Sequence, residues 1–242
     1  MKQSNQNEKT YQDWCIQILL QILKAKDSYG CSLKDSCVKS VMKNIIAHYA
    51  SYYYCKNKEL CIKGSSYLNI WWSILNAKRW DKVLGTLLLS SEAKKEILKI
   101  KQNGNYDEAI DTLHLEHITP GNQIYKDLIN ISFDELNEDL VRKSLMHNRI
   151  VVLTKKETTN FLDGKGVKFD KADVEKLKEL FGNFGDINEA DKFVGKAAKD
   201  NGSALIRIAR LMKNGVTFCR LDGNPVRSRK IVDYLNGNFV IQ

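Results

Sequence analysis

The chain has 242 residues, 43% of them hydrophobic and 28% charged, which is ample for a buried core without disulfides and excludes wholesale disorder. Lys and Arg number 38 against 29 Asp and Glu, a formal charge of +9 that tilts expectation towards a polyanionic partner, although an AT-rich genome inflates lysine in the same way. No apolar run nears the roughly eighteen residues of a membrane span and MKQSNQNEKT has no signal-peptide character, so a cytoplasmic protein without a membrane partner is expected.

Tyr11, Trp14, Cys15, Ile18, Leu19, Ile22 and Leu23 recur at helical spacing and predict a first amphipathic helix ended by Gly30. Val38, Val41, Met42, Ile45, Ile46, Tyr49, Tyr52 and Tyr53 predict a second helix running to about Cys55, packed antiparallel on the first, with His48 and the tyrosines closing the interface. YLNIWWSILNAKRW, VLGTLLL, SSEAKKEILKI and NYDEAIDTL read as further short helices, so residues 1–112 are expected to be a helical region. Cys31/Cys37 and Cys55/Cys61 share a C-x5-C spacing, wider than zinc knuckles use, and Cys37 falls on an apolar helix face; reduced, buried thiols are the expectation.

The pattern changes at 113, where LHLEHITPGN reads as a short strand running into a turn. Ser132 with Glu135 is a capping-box signature for a three-turn helix over SFDELNEDLVRKSLM. Arg149 to Leu153, RIVVL, has the β-branched apolar character of a buried strand, and Thr154 with Glu157 repeats the capping box for a helix springing directly off it, ended by Asp163 and Gly164. Further on come a helix carrying Val174, Leu177, Leu180 and Phe181, the helix SALIRIARLMKN closed by Gly215, a strand in VTFCRL, a helix over VRSRKIVDYLN opened by Asn224 and Pro225, and a last strand in NFVIQ.

Glu116 beside His117 places a carboxylate next to an imidazole. Metal-assisted phosphodiester hydrolysis needs both, a hard oxygen ligand for the cation and a base of near-neutral pKa for water. On an extended backbone the two point oppositely, so the turn at Ile118-Thr119-Pro120-Gly121 has to bring them together. His114 and His147 read instead as surface or supporting residues. Loops for ATP, dinucleotides or acyl transfer (G-x-x-x-x-G-K-[ST], G-x-G-x-x-G, G-x-S-x-G) do not occur.

An acidic residue and His on one strand, an Asn opening a second strand in NRIVVLTKKETTNFL, and a ligand on the following helix resemble the HNH, or ββα-metal, nuclease superfamily over about 50 residues, Leu113 to Asp163. The resemblance implies that Glu116 is a metal ligand, His117 the general base, Asn148 the residue bracing the histidine loop, and Asn160 or Glu157 the last ligand, with Mg²⁺ or Mn²⁺ as the ion. Pro120 matches a proline that the family commonly has three residues after the histidine. Glu116 stands where the family more often has Asp, and the stretch between His117 and Asn148 is longer than usual and holds a whole predicted helix.

From Ser203 onwards seven basic residues, Arg207, Arg210, Lys213, Arg220, Arg227, Arg229 and Lys230, face two acids, Asp222 and Asp233, for a local net charge of +5. Arg207 and Arg210 share a helix face, which predicts a presented basic side suited to phosphates and guanine edges. Six such contacts would give a log–log salt slope of roughly −5 on duplex DNA.

The sequence therefore predicts an α+β, predominantly helical chain: a helical region over 1–112, a ββα-metal core over 113–163 and a basic α/β module over 164–242. The expected function is a metal-dependent DNA endonuclease of restriction or defence type, with a homodimer suiting a palindromic target. The alternatives are a nucleic-acid-binding or regulatory protein that does not cleave, and a ribonuclease toxin.

Overall fold

A computed structural model of the chain describes residues 11–28, 32–55, 80–146, 149–162, 168–182, 190–192, 194–196 and 204–235. Gly30, Cys31, Cys61, the YLNIWWSILNAKRW segment up to residue 79, His147, Asn148, Asp163, Gly164, Gly237 and NFVIQ lie outside these residues, as do the side chains of Tyr52, Tyr53 and Cys55.

The fold is mixed α+β, mostly helical, around one four-stranded sheet. In chain order come α1 (Tyr11–Ser28), α2 (Ser36–Cys55), α3 (Trp80–Leu84), β1 (Leu88–Ser90), α4 (Ser91–Asn103), α5 (Glu108–Thr112), β2 (Leu113–His117), α6 (Gly121–Ile129) and a 3-10 turn (Phe133–Glu135). Then follow α7 (Glu138–Met146), β3 (Ile150–Thr154), α8 (Lys155–Phe161), α9 (Lys171–Phe181), α10 (Ala204–Lys213), β4 (Phe218–Cys219) and α11 (Ser228–Leu235). Spatial strand order is β2-β3-β1-β4: β2 runs antiparallel to β3, β3 parallel to β1, and β1 antiparallel to β4.

Strand alternation divides the sheet's side chains between two cores. Leu87, Leu89, Leu113, Leu115, Ile150, Val152 and Cys219 face Val83 and Leu84 at α3, Ala93, Ile97 and Ile100 of α4, and Ala109 of α5. Leu88, Ile118, Val151, Leu153 and Phe218 face the other way, onto Leu162 and helices α9, α10 and α11. The central strands are apolar on both faces, as strands covered by helices on both sides must be. A third core joins Leu19, Met42 and Ile46 of α1 and α2 to Ile124 and Leu128 of α6 and Val141 and Leu145 of α7, so the insertion between β2 and β3 is what seats the N-terminal helices. The sheet itself draws strands from all three stretches the sequence delimits, β1 from 1–112, β2 and β3 from 113–163, and β4 from 164–242.

Several local expectations need correction. VLGTLLL is not a helix: α3 ends at Leu84 and Leu88–Ser90 form β1, because a three-residue strand buried on both faces carries no alternation to distinguish it. Ser132 opens only the 3-10 turn, its hydroxyl bonding the Glu135 carboxylate at 2.6 Å; Asn137 caps α7 instead, accepting from Leu140 N–H at 2.9 Å. Pro225 does not begin a helix but bridges to Cys219, with Asn224 N–H tied to Asp222 at 2.9 Å, and α11 starts at Ser228. Cys37 is exposed, whereas Cys15 and Cys219 are buried. The Thr154–Glu157 capping box forms as expected, and Gly215, at φ 79°, turns the chain out of α10 as only glycine readily does.

Candidate functional site

The Glu116–His117 strand pairs with the start of β3, Glu116 opposite Val151 and His117 opposite Ile150, with Ile118 N–H closing onto Arg149 C=O at 3.0 Å. Regular pairing up to that bond keeps the alternation intact. Glu116 therefore turns to the α10 side of the sheet, with His114 and buried Ile118, while His117 turns to the α4 side, partly exposed. The turn that would have to converge them comes only after Ile118. Among the described residues β2 is the edge strand of the sheet, so both faces border the same edge.

Glu116 is 9% exposed and compensated from two directions. Arg207 of α10 donates its Nη2 to Oε1, and His114 Nε2 lies 3.0 Å from Oε2. Burial alone pushes the carboxyl upwards, but the His114 hydrogen bond and the Arg207 charge outweigh it and hold Glu116 below the ordinary glutamate value. His114 is the residue that sequence reasoning undervalued. Its signal was available, since residues two apart on a strand share a face.

Arg207 and Arg210 correct the expected basic face of α10. They are 7% and 0% exposed, because α10 is buried at every position from Leu205 to Leu211. Arg207 is spent on Glu116. Arg210 stacks its guanidinium 4.8 Å from the Phe169 ring centroid and donates to Lys196 C=O at 2.7 Å. Lys213 pairs with Asp173, and Arg220 with Asp222 at 3.4 Å. Arg227, Arg229 and Lys230 are exposed where α11 begins. That helix is anchored near the candidate site by Tyr234 Oη, which donates to Ile150 C=O at 2.6 Å, the residue opposite His117.

Glu157 and Asn160 sit towards the other end of the strand pair. Thr154, which opens their helix, is opposite Leu113, about 10 Å along β2 from Glu116 at ~3.3 Å per residue. The Glu157 carboxylate accepts from Thr154 N–H at 2.8 Å, Thr154 Oγ1 at 3.0 Å and Ser90 Oγ at 2.7 Å. One carboxylate thereby joins the starts of α4 and α8, since Ser90 also caps α4 through Ala93 N–H at 3.0 Å. Asn160 is exposed on the wall of an open cleft of about 820 Å³, which Ser91, Thr154, Lys155, Glu157 and Thr217 also line. Among the described residues no three His, Cys, Asp or Glu side chains are grouped to hold a metal. What converges is a hydrogen-bonded pair, the His114 imidazole and the Glu116 carboxylate, residue types that ligate divalent cations once the shared proton is displaced.

Comparison with known protein families, curated proteins and solved structures found no match to this chain.

Proposed function

We propose that the protein is a metal-dependent endonuclease that hydrolyses DNA phosphodiester bonds at the β2 edge of the sheet. The observation that carries this reading is the order antiparallel β2, β3, then α8 directly off β3, with the Glu116–His117 dipeptide at one end of the strand pair. In this reading Glu116 supplies the carboxylate of a Mg²⁺ or Mn²⁺ site. The ion, when bound, stabilises charge on the phosphate and on the departing 3′ oxygen. His117 takes the proton from the attacking water. Asn148 stands two residues before Ile150 in the sequence, and bracing the turn is its expected part. Arg227, Arg229 and Lys230 supply the exposed cations that hold flanking phosphates.

Non-catalytic nucleic-acid binding is the second reading, favoured by the fact that Glu116 already has Arg207 as counter-ion and turns away from His117. One assay divides them: supercoiled and linear DNA with Mg²⁺ or Mn²⁺, with and without chelator, beside His117→Ala. Chelator-sensitive cleavage reduced by roughly 10² to 10⁴ fold in the variant supports the nuclease. Binding without cleavage in any metal removes it, equal cleavage by the variant removes His117 as base, and preference for RNA promotes a ribonuclease toxin. Removing Arg227, Arg229 and Lys230 together should flatten the log–log salt slope on duplex DNA by up to about 3.

A further inference from the structure

Strand β2 carries a cation site more completely than the Glu116–His117 dipeptide describes. His114 and Glu116 lie two residues apart on one face, and His114 Nε2 hydrogen-bonds Glu116 Oε2 at 3.0 Å; a cation that displaces that shared proton, with the neutral imidazole carrying its hydrogen on Nδ1, would find an electron-pair donor in each residue. The His114 side chain keeps about a third of its surface exposed, whereas that of Glu116 is 11% exposed, so the pair opens to solvent from the His114 side and is closed behind Glu116. Closing it there is Arg207, whose side chain is 8% exposed.

Arg207 does not use its guanidinium fully. Nη2 meets Oε1 of Glu116, but the buried Nε finds no acceptor. A guanidinium satisfied on both arms of its fork would be the strong form of this interaction; one held by a single arm, with a buried donor left over, is the weaker form. It supplies the positive charge that a buried carboxylate requires without occupying every lone pair on it.

We propose that His114 and Glu116 form a divalent-cation site, of the imidazole-plus-carboxylate type that Mn²⁺ accepts, and that Arg207 sets its affinity as the internal cation with which the ion competes for Glu116. This rests on the endonuclease reading only for what the ion would do; the site itself is read from His114, Glu116 and Arg207. Water and a substrate phosphate complete the coordination, in keeping with the absence of a third His, Cys, Asp or Glu grouped with the pair among the described residues. Two positive groups on one carboxylate repel, so the ion enters only as Arg207 yields part of its hold.

The test is Mn²⁺ binding to the full chain without nucleic acid, followed by the electron paramagnetic resonance of free Mn²⁺, with circular dichroism melts to establish that each variant folds. Arg207→Gln should bind Mn²⁺ at least tenfold more tightly than the wild type. His114→Ala should bind at least tenfold more weakly, and Glu116→Gln combined with Arg207→Gln, an uncharged amide pair that spares the fold a lone buried charge, should lose the site. A wild type too weak to measure still supports the proposal if Arg207→Gln binds and His114→Ala in that background abolishes binding. Binding by His114→Ala within twofold of its parent overturns the site, as does absence of binding in both wild type and Arg207→Gln; weaker binding by Arg207→Gln overturns the competition. Failure here and failure of the endonuclease reading are distinguishable. Mn²⁺ bound as described by a protein that cuts no nucleic acid removes only the nuclease, and metal-dependent cleavage undiminished in His114→Ala removes only this site.

Discussion

Two buried glutamates stand towards opposite ends of the β2–β3 pair and are accommodated by opposite means. Glu157 is surrounded by dipoles: a backbone N–H, two hydroxyls and the start of a helix, nearly all within three residues of chain. Glu116 is surrounded by a neighbour on its own strand and a full charge, Arg207, that lies 91 residues away in sequence. Local dipoles bury a carboxylate without requiring the rest of the fold. A distant guanidinium does so only when the sheet and α10 are docked, so Glu116 ties its ionisation to tertiary structure, whereas Glu157 takes most of its hydrogen bonds from its own turn.

Arg207→Ala should separate the two most sharply. Leaving Glu116 buried without its counter-charge is expected to cost about 3–5 kcal/mol in urea unfolding, whereas Glu116→Leu with Arg207→Met should return to within ~1 kcal/mol of the wild type, because an apolar pair replaces a desolvated one. A double variant as unstable as the single would mean that the Glu116–Arg207 pair contributes more than mutual compensation. Acid should probe the Glu116–Arg207 pair directly. The Glu116 pKa is lowered in the folded state, so its contribution is fully present above the unfolded glutamate value near 4.5 and is lost as pH falls through the lower folded value. Melting temperatures measured from pH 5 down to pH 3 should therefore fall more steeply for the wild type than for the double variant; parallel curves would contradict the assignment.

At the other end the effects should be smaller. Glu157→Ala removes a cap and strands Thr154 N–H and the Ser90 hydroxyl, for about 1–3 kcal/mol by thermal or urea melts. Thr154→Ala, which loses one side of the capping box and keeps the Ser90 tie, is expected at ~1 kcal/mol. If Glu157→Ala proved as damaging as Arg207→Ala, the distinction between local and distant compensation would fail.

The same contrast governs what could be read from the sequence. Thr154 and Glu157 announce themselves because a capping box is a four-residue pattern, and the strands β2 and β3 because LHLEH alternates and RIVVL is β-branched. Arg207 could not be read as the partner of Glu116. Two arginines one turn apart on a helix with apolar neighbours look like a solvated stripe, and only tertiary docking reveals that both are buried. β1 was hidden for a different reason: Leu88 and Leu89 face separate cores, so the run LLL has neither a helical nor a two-residue period. His114 lay between these cases, legible from its spacing to Glu116 once the strand is granted. Asn148, on which the ββα resemblance also leans, lies outside the described residues.

The position of β1 carries a consequence for how the molecule is made. Leu89 is an inner-strand residue whose partners are Val152 on one side and Cys219 on the other. As the chain leaves the ribosome, this strand must wait through the synthesis of β2, the inserted helices and α10 before it is paired along both edges. A chain stalled between β3 and β4 has β1 paired along one edge only, so the apolar stretch Leu87–Leu89 is expected to favour chaperone binding and aggregation at that stage.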